Sequence, residues 1–283
     1  MKARNLATPK ATAEILKKYG FRPLKRLGQH FLVDANVLNK IVAAAELSKD
    51  DVVLEIGPGI GTLTGAMAPL AGRIVAVERD SRLIPILNET LEGLGNVEVV
   101  LADALEFNPE RPPAGISAPN KCVSNLPYQV ATPILAKYVE RYPGIELYVV
   151  MIQREVGDRL LARPGSKDYG AVTVKLQYFC RIQPVMNVSR HVFMPKPEVD
   201  SVVIKFERLP SPAVRVSNEQ LFFEIVRAAF AQRRKTLKRS LASGLSLPPD
   251  AIKFSIDKAG IDPDRRGESL SLEEFASISN ALG

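Results

Sequence analysis

"VVLEIGPGIGTLTGAMAPLAGRIVAVE", residues 52–78, decides the fold. The apolar run VVLEI meets three glycines at alternate positions, Gly57, Gly59 and Gly61, and a stretch with helical spacing follows. A second apolar run, RIVAVE, then ends in Glu78. Strand, glycine turn, helix and strand in this order describe two parallel strands joined by a crossover helix. Both runs are apolar almost without interruption, as strands covered on both faces are.

Working outward, VEVVL (97–101), KCVSN (121–125), ELYVVMI (146–152) and SVVIKFE (201–207) read as further strands. DSRLIPILNETLEGLG (80–95) and YGAVTVKLQYF (169–179) have helical spacing. Alternating strands and helices imply an α/β fold, a doubly wound and mostly parallel sheet. RLPSPAVRV (208–216) reads as a proline-containing linker, and the chain is helical in pattern from about residue 217. The expected division is a catalytic domain over 1–210 and a small all-helical domain over 211–283.

The 283 residues, 46% of them hydrophobic, are enough for a full core. No apolar run reaches the roughly 18 residues that a membrane span needs, and MKARNLATPKATAEILKKYG lacks the apolar centre of a signal peptide. A cytoplasmic protein is expected. Cys122 and Cys180 have no metal or disulfide spacing and read as buried thiols. The net charge of +7 favours a polyanionic partner, with basic residues gathered in LKKYGFRPLKR (16–26) and QRRKTLKRS (232–240).

In a doubly wound sheet the ligand crevice lies at the carboxyl ends of the strands. The first strand runs into Gly57, Gly59 and Gly61, where ligand and backbone approach closely. The second ends in Glu78, placed to accept hydrogen bonds from ribose hydroxyls, and the third is followed by Asp103, placed to accept one from an adenine amino group. These describe a pocket for an adenosine-containing cofactor. A dinucleotide site would show G-x-G-x-x-G with a helix terminus free for pyrophosphate. Here Glu55 precedes G-x-G-x-G, and a carboxylate suits a cationic amino-acid tail better than a diphosphate. The pattern resembles the first motif of Rossmann-like class I methyltransferases that use S-adenosyl-L-methionine.

The fourth strand ends in NLPY, Asn125 to Tyr128. Asn125 and the carbonyl of Leu126 can accept both hydrogens of an adenine amino group, which localises its lone pair for attack on a methyl group. Pro127 restricts Leu126 to an extended conformation and aims that carbonyl. Tyr128 offers a face on which an extruded base can stack, worth roughly 1 to 3 kcal/mol.

With RLGQHFLVD (26–34), MIQREVGDRL (151–160), MPKPEVDS (194–201) and QRRKTLKRSL (232–241) added, the chain resembles the bacterial small-subunit ribosomal RNA adenine N6,N6-dimethyltransferases over nearly its whole length. The resemblance implies that Gln29, His30 and Leu32 close over the cofactor and that Gly57, Glu78, Asp103 and Asn125 bind it. It also implies that Phe193 faces Tyr128 across the target base. His30 stands where the family most often has Asn; either side chain donates a hydrogen bond. No metal site is expected. The implied substrate is two adjacent adenosines in the 3'-terminal hairpin loop of 16S ribosomal RNA, dimethylated on the assembling 30S subunit; because that substrate is asymmetric, a monomer is expected.

Recognition of an RNA hairpin rests on shape and phosphate contacts. If one helix runs through FEIVRAAFAQRRKTLKRSL, then Phe230, Leu237 and Leu241 share a face and leave Arg234, Lys235, Lys238 and Arg239 elsewhere, with Arg234 and Lys238 as candidate phosphate contacts. Ser271 and Glu274 have capping-box spacing. Two alternatives share these motifs: a large-subunit ribosomal RNA adenine methyltransferase, and a non-catalytic nucleic-acid binder or ribosome-assembly factor. A DNA adenine methyltransferase more often carries DPPY or NPPY.

Overall fold

The computed structural model describes residues 6–24, 27–232, 234–245 and 247–283. Lys25 and Arg26 of the first basic segment, and Arg233 of the second, lie outside the described residues. The elements in chain order are α1 (Pro9–Lys18), β1 (Phe31–Leu32), α2 (Ala35–Ala44), β2 (Val52–Ile56), α3 (Thr62–Met67), β3 (Arg73–Glu78) and α4 (Ile84–Thr90). After them come β4 (Val97–Leu101), β5 (Lys121–Asn125), α5 (Ala131–Arg141), β6 (Leu147–Gln153), α6 (Arg154–Leu160), α7 (Ala171–Phe179) and β7 (Cys180–Val188). The remainder is β8 (Phe193–Met194), β9 (Ser201–Arg208), α8 (Glu219–Ala231), α9 (Leu237–Gly244), α10 (Pro249–Lys258) and α11 (Leu272–Leu282).

Seven strands form one sheet in the order β4-β3-β2-β5-β6-β9-β7. The pairs from β4 through β6 are parallel, and β9 runs antiparallel to β6. Strand order reverses between β2 and β5, which makes their carboxyl ends the topological switch point. Val53, Val75, Val149 and Ile204 are fully buried, which is why these strands read as continuous apolar runs.

Strand β7 departs from expectation. No strand is expected over 180–188, where Pro184 interrupts the run. The structure puts it at the sheet edge, where most of its side chains are exposed and a proline is tolerated.

The chain forms two compact units: one runs to Gly157 and adds Ile182–Arg208, and the other joins Asp158–Arg181 to Leu209–Gly283. The helical unit is thus larger than the expected 211–283. Its extra segment is tied in by Tyr178, whose ring stacks on Phe222 at 5.0 Å and whose hydroxyl donates to Glu219. Within this unit the basic segment does not form one continuous helix. Helix α8 ends at Ala231, and α9 restarts at Leu237, whose amide donates to the Arg265 carbonyl. Leu237 and Leu241 are fully buried, while Arg234, Lys235, Lys238 and Arg239 are exposed. Ser271 and Glu274 form a reciprocal capping box at α11.

Cys122 and Cys180 are buried thiols outside any disulfide. Among the described residues no helix is long and apolar enough to cross a membrane, and no cluster of His, Cys, Asp or Glu has the makings of a metal site.

Candidate active site

The turn after β2 is built by its glycines. Gly57, Gly59 and Gly61 all have positive φ, at 72°, 60° and 84°, a region that side-chain-bearing residues enter only at a cost. Space is short as well: a Cβ on Gly57 would lie 3.2 Å from Pro127 Cγ, and one on Gly59 would lie 3.1 Å from the Phe31 ring. The bare backbone therefore packs between the NLPY segment and β1.

Four carboxylates line the cavity beside this turn, Glu55, Glu78, Asp80 and Asp103. Glu78, at the end of β3, accepts hydrogen bonds from the amides of Gly59 (3.3 Å) and Asp80 (2.8 Å). Burial raises its pKa, and these backbone donors work against the rise. Glu55 is buried within β2, and its pKa is pushed up to about 8, chiefly by burial and further by the charge of Glu78. Its Oε2 has no hydrogen-bond partner, a buried polar atom at the cavity wall that the protein itself does not satisfy. Asp103 is held by the Leu105 amide at 2.9 Å and meets the Arg79 guanidinium at 3.2 Å.

The fourth strand supplies the other side. Asn125 ends β5, and its Nδ2 donates to the His30 carbonyl at 3.2 Å. Its Oδ1 is buried without a partner. The Leu126 amide donates to the Met151 carbonyl at 3.1 Å, which ties the motif to β6. Tyr128 hydrogen-bonds Ser201 Oγ through its hydroxyl at 2.7 Å, and burial raises the phenol pKa. Its ring is stacked by His30, with centroids 5.5 Å apart and planes inclined at 27°.

Residues 27–32 border the same cavity. Gln29 Nε2 donates to Asp80 at 2.7 Å, and its Oε1 accepts from the Leu24 amide. Asp80 also meets Arg82, whose hydrogen bonds hold that carboxyl below its ordinary range. His30 Nδ1 lies 2.7 Å from the Pro195 carbonyl. Leu32 lines the cavity from β1 while packing in the core.

The structure thus brings Gln29, His30, Leu32, Gly57, Glu78, Asp103, Asn125 and Pro127 around one cavity. Leu126, Tyr128 and Phe193 are not among the residues that line it. Phe193 pairs with Leu32 in the β1–β8 ribbon, is 4% exposed and packs in the hydrophobic core. Arg234 and Lys238 lie in the helical unit. Sequence reading missed Asp80, which anchors Gln29, and Ser124, whose Oγ accepts the Ile56 amide at 2.9 Å. It also missed Ser201. Asp80 had a local signal, two residues after Glu78; the two serines had none, because their partners are 68 and 73 residues away.

A glycine turn at the switch point, an acid ending the next strand, and a buried amide oxygen ending β5 together define a class I methyltransferase. A sequence model described as ribosomal RNA adenine dimethylase matches residues 20–283. The chain belongs to the ribosomal RNA adenine dimethylase family. It is 48% identical, over 99% of its length and 98% of the relative's, to the ribosomal RNA small subunit methyltransferase A of Bacillus cereus strain B4264. Among solved structures, a dimethyladenosine transferase from Plasmodium falciparum superposes with a TM-score of 0.76 at 27% identity, covering 88% of this chain and 96% of that one. The 23S rRNA methyltransferase ErmE gives 0.67 at 29% identity, covering 89% and 99%.

Proposed function

We propose that this chain uses S-adenosylmethionine to dimethylate N6 of two adjacent adenosines in the 3'-terminal hairpin loop of 16S ribosomal RNA. It does so as a monomer, in the cytoplasm, on the assembling 30S subunit. The observation that carries the chemistry is the Asn125 Oδ1, buried and without a partner where β5 meets the cavity. An orphaned acceptor there is costly unless a donor arrives, and an adenine amino group is such a donor.

The cavity fits the cofactor on one kind of observation: two buried side-chain oxygens at its wall, Glu55 Oε2 and Asn125 Oδ1, have no partner within the protein. Gly57 and Gly59 would hold it by close approach, Glu78 at the ribose and Asp103 at the adenine. When bound, it supplies an electrophilic sulfonium methyl. Asn125 Oδ1 and the Leu126 carbonyl accept from the target amino group and turn its lone pair toward that methyl. Tyr128, fixed through Ser201, holds the extruded base by stacking.

The 48% identity to a small-subunit enzyme along the whole chain, against 29% to a 23S enzyme, favours the small-subunit substrate. The test supplies methyl-labelled S-adenosylmethionine with under-methylated small subunits, large-subunit RNA and duplex DNA. Label on two adjacent dimethyladenosines of the small subunit is expected. Label confined to large-subunit RNA would overturn the substrate, and subunit binding without label would overturn the chemistry.

A further inference from the structure

We propose that the imidazole of His30 gates the target-base platform: it occupies the face of Tyr128 that the extruded adenine takes, and the base docks when the imidazole leaves. The inference rests on the assignment of Tyr128 to the target base.

Four observations carry it. First, the His30 and Tyr128 rings are stacked at 5.5 Å and 27°, within the geometry of a base on an aromatic ring. Second, the cavity that Asn125 borders is lined by His30, Pro127 and Gln129 but not by Tyr128. An adenine reaching Asn125 from that side meets the imidazole before the phenol ring.

Third, the two partners are held unequally. Tyr128 is anchored through its hydroxyl to the fully buried Ser201, and its amide nitrogen backs onto Gly28 so closely that a Cβ there would lie 3.2 Å away. The His30 side chain has one polar tether, Nδ1 to the Pro195 carbonyl at 2.7 Å. A carbonyl only accepts, so Nδ1 carries the proton in this pose. Fourth, Asn125 bonds to the backbone carbonyl of His30 rather than to its ring. The imidazole can therefore swing away while Asn125 keeps its orientation.

The gate makes His30 a positioning residue. It keeps the Tyr128 face covered and concedes it to a better-stacking, hydrogen-bonding ring, which an adenine presented to Asn125 is.

The chain has two histidines, His30 and His191, so the imidazole protons can be followed by NMR and assigned with H191Q. In the protein alone the His30 ring signals are expected upfield, within the ring current of Tyr128, and Y128L should move them to ordinary positions. Saturation with the unmethylated loop hairpin should move the wild-type signals to those same positions. In steady-state methylation at saturating cofactor, H30A should lower KM for the RNA about fivefold, the factor that ~1 kcal/mol of competition corresponds to. His30 signals that stay upfield with hairpin bound, or a KM raised in H30A, would overturn the gate and make the imidazole a layer of the platform itself. Failure of Y128L to affect RNA methylation would instead remove the base from Tyr128, and the gate with it.

Discussion

The two ends of the crevice are held together in different ways. At the cofactor end, Glu78 is fixed by amides 19 and 2 residues away, and Asp103 by an amide 2 residues away. At the target end, Asn125, Tyr128 and His30 take partners 95, 73 and 165 residues away. The bonds that hold Glu78 and Asp103 close within neighbouring strand–helix units, whereas those of the target end join segments far apart in the chain. Local backbone donors fix a pocket, whereas distant side chains leave a site whose parts can be exchanged for substrate.

Breaking the target end should have the largest effect. In N125A the orphaned acceptor and the tether to the His30 carbonyl both disappear, so the methylation rate should fall by about 10² to 10³. Binding to the small subunit, measured by filter retention, should stay near wild type. A loss below tenfold would mean that the amino group is oriented by other atoms.

The cofactor end is sharpened by its buried acid. The Glu55 pKa is raised from 4.5 to about 8, so above pH 4.5 the folded chain holds a proton that the unfolded chain releases. That contribution is complete below pH 4.5 and is lost as pH rises toward 8. Thermal unfolding across this window should show wild-type stability declining. E55Q, neutral throughout, should remove most of the decline and be more stable at pH 8, on the order of a few kcal/mol. Glu78 is also raised by burial, so a smaller slope should remain. An unchanged slope in E55Q would assign the buried proton elsewhere.

The smallest effect lies outside the crevice. R234A with K238A removes two exposed cations of the helical unit and should weaken small-subunit RNA binding a few-fold at moderate salt. The plot of log affinity against log salt should flatten by about 1.5 for two lost phosphate contacts. A slope equal to wild type would take this segment out of the interface.

The same division explains what was legible in the sequence. Strands β2 to β6 and β9 are buried on both faces or end at a motif, so apolar runs revealed them and the strand-end rule led to Glu78, Asp103 and Asn125. Strand β7 was illegible because Pro184 stands at the centre of its run, and a proline within a run argues against a strand except at a sheet edge. The break between α8 and α9 was hidden because the periodicity of Leu237 and Leu241 continues across it. Phe193 was assigned to the base by the family resemblance alone, and its pairing with β1 and place in the core had no trace in the local sequence. The stack of His30 on Tyr128 left no local trace: nothing in "GQHFL" indicates which ring lies on the other side.

Pro184 has a consequence for how this protein behaves in a crowded solution. A sheet edge with paired donors and acceptors on offer can recruit a strand from a second molecule and seed polymers. On the β7 side the chain presents a residue with no amide hydrogen, flanked by the exposed Gln183 and Val185, so an incoming strand finds the ladder interrupted at its middle. The feature that hid this strand from the sequence reading also shields that flank of the sheet from self-association.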